Sequence, residues 1–344
     1  MSGQVGKPKI YIDYLSYFRA SGIGLDVVGN NSATNIAEDY SDVFSYNPYN
    51  TKTFTPIQEG NGGFGLTEMS FKVVCGGGTG ESLKLTSSIN YLAMLNHNAR
   101  DLDLFASYPV GVNSNNQPLN SYPYDIVGAD KNNFSLWGLY FAPVYENSGV
   151  GVSILLNNYT EPFRLGSIIA GRTYSFPNNQ NLSMNINYDA DGIKKTRTLG
   201  GRDIVDVNYY KQPTWDGNPP FVPTNTFGGS SDLSATSHIG RRSWALTFSF
   251  LTANDTFPQD MGENFMFDNV FHDDGTPSSW TNHTTENITS HFMTLTMNGQ
   301  LPFLFQPDDS KDTYAMCRLR SNSFSVQQSA PNLYTCKMTF DETW

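Results

Sequence analysis

Two segments in the C-terminal third alternate strictly between apolar and polar side chains, and this alternation constrains the fold more than any other feature. The first runs from Gly240 to Leu251, and its apolar positions are Trp244, Leu246, Phe248 and Phe250. The second has its larger side chains at Tyr334, Cys336, Met338 and Phe340. A repeat of two residues is typical of a strand that is buried on one face. We therefore predict two strands that bury these side chains.

Composition extends the prediction to the rest of the chain. The 344 residues include 30 Gly, 18 Pro, 19 Tyr and 23 Phe, and only 15% are charged. Abundant aromatic residues provide the apolar area that offsets chain entropy, which argues against disorder. Frequent Gly and Pro, with many Asn, Ser and Thr, favour short strands and many turns. The predicted class is mainly β.

Charge and cysteine content limit the functions open to the chain. Its net charge is −11, whereas sequence-independent binding of nucleic acid needs an excess of Lys and Arg. No apolar run approaches the roughly 20 residues of a membrane-spanning helix, so we expect no membrane insertion. Asp13 and Ser16 interrupt the apolar stretch that a secretory signal would need. Three widely spaced cysteines, Cys75, Cys317 and Cys336, favour buried, reduced thiols in a protein made in a cytosol.

Two helices are expected among the strands. Ser87 to Ala99 carries apolar residues at helical spacing, with Ser87 or Ser88 as a cap. The second helix is predicted around Thr284 to Met297. The further strand candidates are Ile10 to Phe18, Met69 to Cys75, Phe134 to Ala142, Gly149 to Leu156 and Phe163 to Phe176.

A β-hairpin is predicted in the middle of the chain. Leu182 to Tyr188 alternates, Asp189 to Gly192 supplies a turn, and Ile193 to Leu199 returns with a polar, basic outer face. Gly200 and Gly201 then end the strand. Residues 211–237, rich in Pro, Gly, Asn and Ser, are predicted to form a long loop.

Two short motifs resemble ligand loops and are better explained as turns. Gly76 to Gly80 follows a strand, but Glu81 and Ser82 stand where a phosphate-binding loop needs Lys and Ser or Thr. Asp189-x-Asp191-Gly192 resembles the start of a calcium loop. Its twelfth position is Gly200 rather than Glu, and its flanks alternate as strands do.

Histidines and carboxylates give no convincing catalytic or metal set. The only cluster of both kinds comprises His272, Asp273, Asp274, His283 and His291. The residues between them are those of a polar loop and the exposed part of a helix, and the spacing does not match a metal site. The carboxylate pairs Asp101 with Asp103 and Asp308 with Asp309 are common in loops, although a glycosidase uses such pairs. We expect no catalytic, cofactor-binding or metal-binding residues, and no enzymatic activity.

Several C-terminal segments together resemble the tail-tip structural proteins of tailed bacteriophages, in particular the distal tail group. They are Leu165 to Ser167, Gly171 to Tyr174, Gly200-Gly201, Tyr209 to Pro213 with Trp215, Gly240 to Trp244, Gln300 to Asp308 and the strand-rich end at Trp344. The resemblance covers roughly Gly149 to Trp344. It implies β-sandwich or tail-tube-like β-domains with one or two flanking α-helices. On this basis we divide the chain into a β-rich domain with one helix, 1–148, and a tail-tip-like β-sandwich domain, 149–344.

The resemblance also implies a function. Such a protein is a non-enzymatic part of the virion, made in the host cytoplasm and located in the tail tip or baseplate. It needs no cofactor and assembles with itself, as a hexameric ring, and with the tail tube and hub or fibre proteins. An acidic lumen would let DNA pass without binding it, because like charges repel.

Three other classes of protein remain open at this point. A carbohydrate-binding receptor-recognition protein of the virion would expose Trp or Tyr platforms and lack ring-forming arms. A capsid or decoration protein would occupy the shell rather than the tail. A glycoside hydrolase would place two carboxylates about 5 to 10 Å apart in a cleft.

Overall fold

The computed structural model describes residues 6–20, 25–31, 37–39, 43, 48, 50–54, 67–75, 90–98, 102–112, 118–121, 123–127, 134–139, 150–156, 163–178, 185–189, 193–207, 241–257, 287–311, 313–321 and 325–343. Within these ranges the chain forms 21 strands, two short α-helices and one π-helix. Strand pairing in this part of the chain is antiparallel throughout. The fold is mainly β, as the composition predicts.

The first eleven strands are β1 (Lys9–Asp13), β2 (Leu25–Asn31), β3 (Ala37–Asp39), β4 (Lys52–Phe54), β5 (Thr67–Cys75), β6 (Tyr91–Leu95), β7 (Leu102–Val112), β8 (Pro118–Ser121), β9 (Pro123–Val127), β10 (Phe134–Leu139) and β11 (Val150–Leu156). The remaining ten are β12 (Phe163–Leu165), β13 (Ser167–Ser175), β14 (Asn185–Asp189), β15 (Ile193–Arg197), β16 (Asp203–Val207), β17 (Arg241–Leu251), β18 (Phe303–Gln306), β19 (Ala315–Leu319), β20 (Ser325–Ala330) and β21 (Leu333–Glu342). The helices are α1 (Tyr14–Ala20), α2 (Ala253–Thr256) and a π-helix at Ile288–Met293.

Two sheets contain most of the strands. The larger has eleven strands in the order β14-β17-β21-β19-β18-β1-β13-β6-β10-β9, with β20 added beside β21. The smaller has six, in the order β3-β2-β5-β11-β7-β8. β17 follows one edge of β21, while β20 and β19 share the other edge. The pairs β4–β12 and β15–β16 each form a separate two-stranded sheet.

The large sheet is strongly curled. Four strands separate β13 from β17 in the sheet order, so a flat sheet would hold these two strands about 24 Å apart. Phe176, directly after β13, nevertheless stacks on Phe248 of β17 with ring centroids 4.0 Å apart. Trp244 of β17 likewise contacts Phe305 of β18, with centroids at 5.6 Å. The sheet therefore wraps around its own side chains, and these form the main hydrophobic core.

The central strands of the curled sheet are buried on both faces. All five residues of β6 are buried. Leu92 and Met94 belong to the core inside the curl, whereas Tyr91, Ala93 and Leu95 belong to a second cluster on the other face. Strands β1, β13, β18 and β19 divide their side chains between the two clusters in the same way. Burial on both faces explains why such strands have nearly continuous apolar sequences.

The helix predicted at Ser87 to Ala99 is wrong over its described part. Tyr91–Leu95 is strand β6 and pairs with both β10 and β13. Residues 87–89 lie outside the described ranges. A strand that is buried on both faces places apolar residues at every position, so it also satisfies helical spacing. Periodicity alone does not separate the two structures in this case.

The strand predicted at Ile10 to Phe18 is correct only as far as Asp13, after which α1 begins. The Asp13 carboxylate accepts hydrogen bonds from the Leu15 N–H at 3.1 Å and from the Ser16 hydroxyl. It therefore caps the first turn of α1. The capping side chain, rather than apolar periodicity, decides where the strand ends.

The predicted hairpin between Leu182 and Leu199 is also wrong in its pairing. β14 pairs with β17, placing Ile186 opposite Trp244, and β15 pairs with β16 instead. The turn of the real hairpin is Thr198 to Arg202, in which Gly201 adopts a φ of +80°. Glycine adopts this conformation without steric cost, so the two glycines make the turn that Asp189 to Gly192 was expected to make. Residues 190–192 lie outside the described ranges.

The two alternating strands are confirmed with one exception. Trp244, Leu246 and Phe248 are buried, as are Cys336, Met338 and Phe340 on the neighbouring strand; Tyr334 is partly buried. Phe250, predicted to lie on the buried face, is 75% exposed, and Leu251 is fully buried. The pairing of β17 with β21 shifts register between Phe248 and Leu251. A β-bulge therefore exchanges the faces at the end of the strand.

The second predicted helix is present in a shorter form. The π-helix Ile288–Met293 occupies part of the predicted range, and residues 284–286 lie outside the described ranges. Phe292 packs edge-on against Phe303 and Phe340, with ring centroids at 5.2 and 5.9 Å. The helix therefore contributes to the core of the curled sheet. No helix in the described ranges is long and apolar enough to cross a membrane.

Both sheets combine strands from the two sides of the division predicted at residue 148. β1 pairs with β13 and β18, and β11 pairs with β5 and β7. The described strands thus form no separate N-terminal sheet. The predicted loop at 211–237 and Trp344 lie outside the described ranges. Cys317 and Cys336 are buried thiols that form no disulfide, as predicted, and they lie on the paired strands β19 and β21.

Candidate assembly surface

Most sequence-predicted candidates for chemistry lie outside the described residues. These are Gly76 to Gly80, Asp101, Asp191, His272, Asp273, Asp274 and His283. Within the described ranges, no three His, Cys, Asp or Glu side chains are grouped so that they could hold a metal ion. Asp103 and Asp189 lie on strands β7 and β14. The candidates whose side chains the structure describes are His291, Asp308 and Asp309.

Asp308 and Asp309 fasten the start of the described chain to the large sheet. Asp308 accepts a hydrogen bond from the Gly6 N–H, and Asp309 accepts one from the Lys7 N–H, both at 2.9 Å. Burial acts to raise the pKa of Asp308, but hydrogen bonds, chiefly from Ser310, outweigh it and lower that pKa. Two carboxylates that are occupied by donors of the same chain have a structural role. They do not resemble the free acid and base of a glycosidase.

His291 is buried, so the exposed helical position predicted for it is wrong. Its ring lies against Tyr14 and Tyr174, with centroids 6.4 and 6.0 Å away. Burial, with a smaller effect of the positive charge on Arg172, lowers the pKa of His291 to about 3. The side chain is therefore neutral near pH 7 and is part of the core. The signal for this burial is its position one residue before Phe292, in an apolar turn.

His97 and Ser135 form a buried pair that the sequence does not reveal. His97 Nε2 lies 2.9 Å from Ser135 Oγ, and burial lowers the pKa of His97 to about 4. Among the described residues, His97 Nδ1 has no hydrogen-bond partner. Within the described part of the chain, the pair therefore lacks the group that orients the base in a hydrolase triad. Burial of both side chains also leaves them little access to a substrate.

The most distinctive surface feature is the hairpin of β15 and β16, which we call the arm. The arm stands apart from both large sheets. Of residues 195–205, all are exposed except Thr198, which is intermediate. Over residues 195–205, both faces of this two-stranded ribbon thus face solvent. Isolated hairpins are marginally stable in water, so an exposed arm is expected to gain stability from a partner.

The turn of the arm has a defined geometry. Thr198 Oγ1 donates to the Arg202 carbonyl oxygen at 3.0 Å and accepts from the Arg202 N–H at 3.1 Å. Backbone hydrogen bonds join the same two residues and connect Gly201 N–H to the Thr198 carbonyl oxygen. These contacts present Leu199 at the tip, where its side chain is fully exposed.

Apolar and basic side chains are combined on the arm. Ile204 and Val205 are 54% and 49% exposed, respectively, on a strand that buries neither. Lys195 lies 3.9 Å from Asp203, and both are well exposed. Exposed pairs of this kind contribute little to stability. An exposed apolar tip with basic neighbours is characteristic of a contact surface rather than of a folded core.

Phe250 marks a second unusual surface position. Its φ of +61° is rare for a bulky residue, and such a backbone costs about 1 to 2 kcal/mol. The Asn178 side-chain amide donates to the carbonyl oxygens of Ser249 and Phe250, at 3.3 and 3.0 Å, and so supports the bulge. The bulge places Leu251 in the core and leaves Phe250 in solvent.

Comparisons of the chain with protein-family models, with curated proteins and with solved structures found no significant match. Functional inference therefore depends on the residues and geometry described above. Sequence patterns missed the arm because Ile193 to Leu199 was paired with the preceding strand. The sequence Thr-Leu-Gly-Gly-Arg at 198–202, between two segments of strand-forming residues, is the signal that identifies it.

Proposed function

We propose that this chain is a non-enzymatic structural protein of a bacteriophage tail tip or baseplate. It forms a ring that joins the tail tube to the host-recognition apparatus and leaves a channel for DNA. The observation that carries the proposal is the arm, a separate ribbon with both faces exposed. An exposed ribbon of this kind suits a building block, because a neighbouring subunit can supply the burial that the ribbon lacks.

The curled sheet supports the same proposal. In this account it is a β-sandwich or tail-tube-like domain with short flanking helices, and it provides a rigid body from which the arm projects. Its core is dominated by aromatic contacts, such as the stack of Phe176 on Phe248. Dense packing of this type resists deformation, which a load-transmitting ring requires.

The charge of the chain suits passage of DNA. A net charge of −11 repels phosphates when it lines a channel. In the proposed assembly, DNA passes the lumen without specific binding. The protein partners are further copies of the chain, the tail tube protein and the hub or fibre proteins.

Electron microscopy of the purified protein tests the proposal. We expect two-dimensional class averages to show rings, most simply with sixfold symmetry, either for the protein alone or after addition of tail tube protein. Light scattering under the same two conditions gives the mass in solution. A monomer in both conditions would contradict the ring.

Further assays of the same purified protein distinguish the alternative classes of protein. Closed shells, or decoration of shells, would indicate a capsid or decoration protein. Binding to a glycan panel by a monomer would indicate receptor recognition. Turnover of a polysaccharide would indicate a glycoside hydrolase.

A further inference from the structure

We propose that the arm docks on the acidic surface of a second copy of this chain, so that copies join head to tail. The inference rests on the proposed function, which supplies an assembly of many copies. It adds the chemistry of the contact and its symmetry, neither of which follows from a ring alone.

The net charges of the arm and of the rest of the chain favour a second copy as the partner. Residues 195–205 carry three cations and one carboxylate, a net charge of +2, whereas the whole chain carries −11. The remainder of the chain therefore carries −13. A basic projection on an acidic body is attracted to the body of another copy, and this attraction steers their encounter.

The apolar residues of the arm supply the second component of the contact. Leu199 is fully exposed at the tip, and Ile204 and Val205 are about half exposed behind it. Burying them under a neighbour releases apolar surface from water. Interfaces commonly combine such an apolar centre with a charged rim. On the arm, the consecutive residues Ile204 and Val205 lie on opposite faces of the ribbon, so each face carries an apolar side chain near the basic residues.

The same charges make the contact heterologous. Two arms of net charge +2 repel each other, so an isologous dimer in which arm contacts arm is disfavoured. An arm on an acidic body instead uses a different surface on each partner. When each arm contacts the next copy in one direction, such contacts build closed rings or open filaments.

Nucleic acid is a less suitable partner for the arm. Asp203 lies directly across from Arg197 and is close to Lys195, so a carboxylate sits among the cations. A carboxylate repels phosphate, and the apolar tip gains nothing from a phosphate backbone. We therefore assign the arm to a protein surface.

Charge reversal on the arm tests the inference. The arm variant carries Lys195→Glu, Arg197→Glu and Arg202→Glu, which changes the net charge of residues 195–205 to −4. The matched control reverses three exposed cations outside the arm: Arg164→Glu, Arg318→Glu and Lys337→Glu. Both variants therefore carry the same total charge. Sedimentation velocity at low and high salt measures the assembly of each protein alone and in mixtures with the wild type.

We expect the difference in assembly between the wild type and the arm variant to be largest at low salt, where charges are least screened. The arm variant should assemble about tenfold or more weakly, because three cations that attract an acidic partner become carboxylates that repel it. The control should assemble at least as strongly as the wild type, because its arm keeps all three cations. Adding the arm variant to the wild type should shorten the assemblies, because the variant accepts an arm but does not donate one.

Other results would overturn the inference in distinct ways. Stronger assembly in the mixture than in the wild type would indicate an isologous arm-to-arm contact. Rings that form equally well from the arm variant would leave the proposed function intact and remove the arm from the interface. If the wild type stays monomeric with and without tail tube protein, the proposed function itself is wrong. Binding of a labelled DNA duplex gives the last outcome. If the wild type and the control bind the duplex in a salt-dependent way, the arm variant does not, and assembly is unchanged, the partner of the arm is nucleic acid.

Discussion

Strand β17 and the arm use apolar side chains in opposite ways. β17 lies between β14 and β21, and its residues Trp244, Leu246 and Phe248 are buried. The arm belongs to neither large sheet, and its residues Ile204 and Val205 remain exposed. A strand-forming sequence therefore determines that a ribbon forms, whereas its neighbours in space determine whether that ribbon has a core. The arm exposes apolar side chains like those of an interface, but no second sheet in the described part of the chain packs against them.

The comparison is sharpest when a large side chain is removed from each region. Phe248 is fully buried and stacks on Phe176 with centroids 4.0 Å apart. Phe248→Ala is expected to reduce the free energy of unfolding by about 3 to 5 kcal/mol. The matched change in the arm, Ile204→Ala, should alter it by less than about 0.5 kcal/mol, because Ile204 is already in solvent. Urea denaturation of both variants measures the difference, and equal effects would show that the arm is part of the folded core.

Ion pairs give a second test of the contrast between core and surface. Arg242 Nη2 donates to Glu342 Oε1 at 2.5 Å, and both side chains are buried. Arg320 Nη2 contacts the neighbouring Asp341 at 2.7 Å, but this pair is exposed. Glu342→Gln should cost about 3 to 5 kcal/mol because it removes the carboxylate that balances the buried charge of Arg242. Asp341→Asn should cost about 1 kcal/mol or less.

Chemical denaturation of these two variants checks the prediction. The residues are adjacent in β21, so the pair controls for position along the strand. A cost for Asp341→Asn equal to that for Glu342→Gln would mean that burial does not govern these ion pairs.

The buried histidines predict sensitivity of the core to acid. Burial lowers the pKa of His97 to about 4 and that of His291 to about 3, from an ordinary value of 6.5. Because both folded-state pKa values are depressed, their contribution to stability is complete above about pH 6.5 and is lost as the pH falls. At about pH 5, each histidine should lower the free energy of unfolding by about 2 kcal/mol relative to its value at about pH 7. The contribution of Asp13 has the opposite sign: burial raises its pKa to about 6, so stability is lost as the pH rises from about 4 to about 6.

The contribution of His97 to this pH dependence can be measured separately, from the free energy of unfolding at about pH 7 and at about pH 5. His97→Gln should narrow the difference between the two conditions by about 2 kcal/mol relative to the wild type. The variant serves as its own control, because any loss of packing affects both conditions. An unchanged difference would show that the pKa of His97 is the same in the folded and unfolded protein.

The smallest predicted effect is a gain in stability. Phe250 combines a φ of +61° with 75% exposure, so its side chain contributes little packing while its backbone is strained. Phe250→Gly should stabilise the protein by about 1 kcal/mol, because glycine removes the strain. Thermal unfolding measures the shift. A loss of more than about 1 kcal/mol would show that the Phe250 ring packs in solution.

The sequence predicts the fold well where one face of a strand is buried and the other is not. Strand β17 alternates, and three of its four apolar positions are buried as expected. It fails at Phe250 because a bulge changes the faces, and bulges leave no mark in apolar periodicity. It fails at Tyr91–Leu95 because burial on both faces removes the alternation.

The candidate surface is predictable only in part. The glycines at 200 and 201 identify a turn, and the basic residues beside them identify a polar ribbon. The separation of the arm from both sheets is a property of the folded chain, since β14 has its partner in β17, far along the sequence. Burial of His291 depends likewise on Tyr14 and Tyr174, which no local pattern connects to it.

Hydrogen–deuterium exchange of the wild-type protein tests the central claim most directly. The claim is that the curled sheet is a stable body and that the arm is completed by a neighbouring copy. Amides of β17 and β21 should exchange slowly both in dilute protein and in the assembly. Amides of residues 195–205 should exchange rapidly in dilute protein and become protected at concentrations where copies assemble. Arm amides that exchange at the same rate in both states, while the protein assembles, would contradict the account.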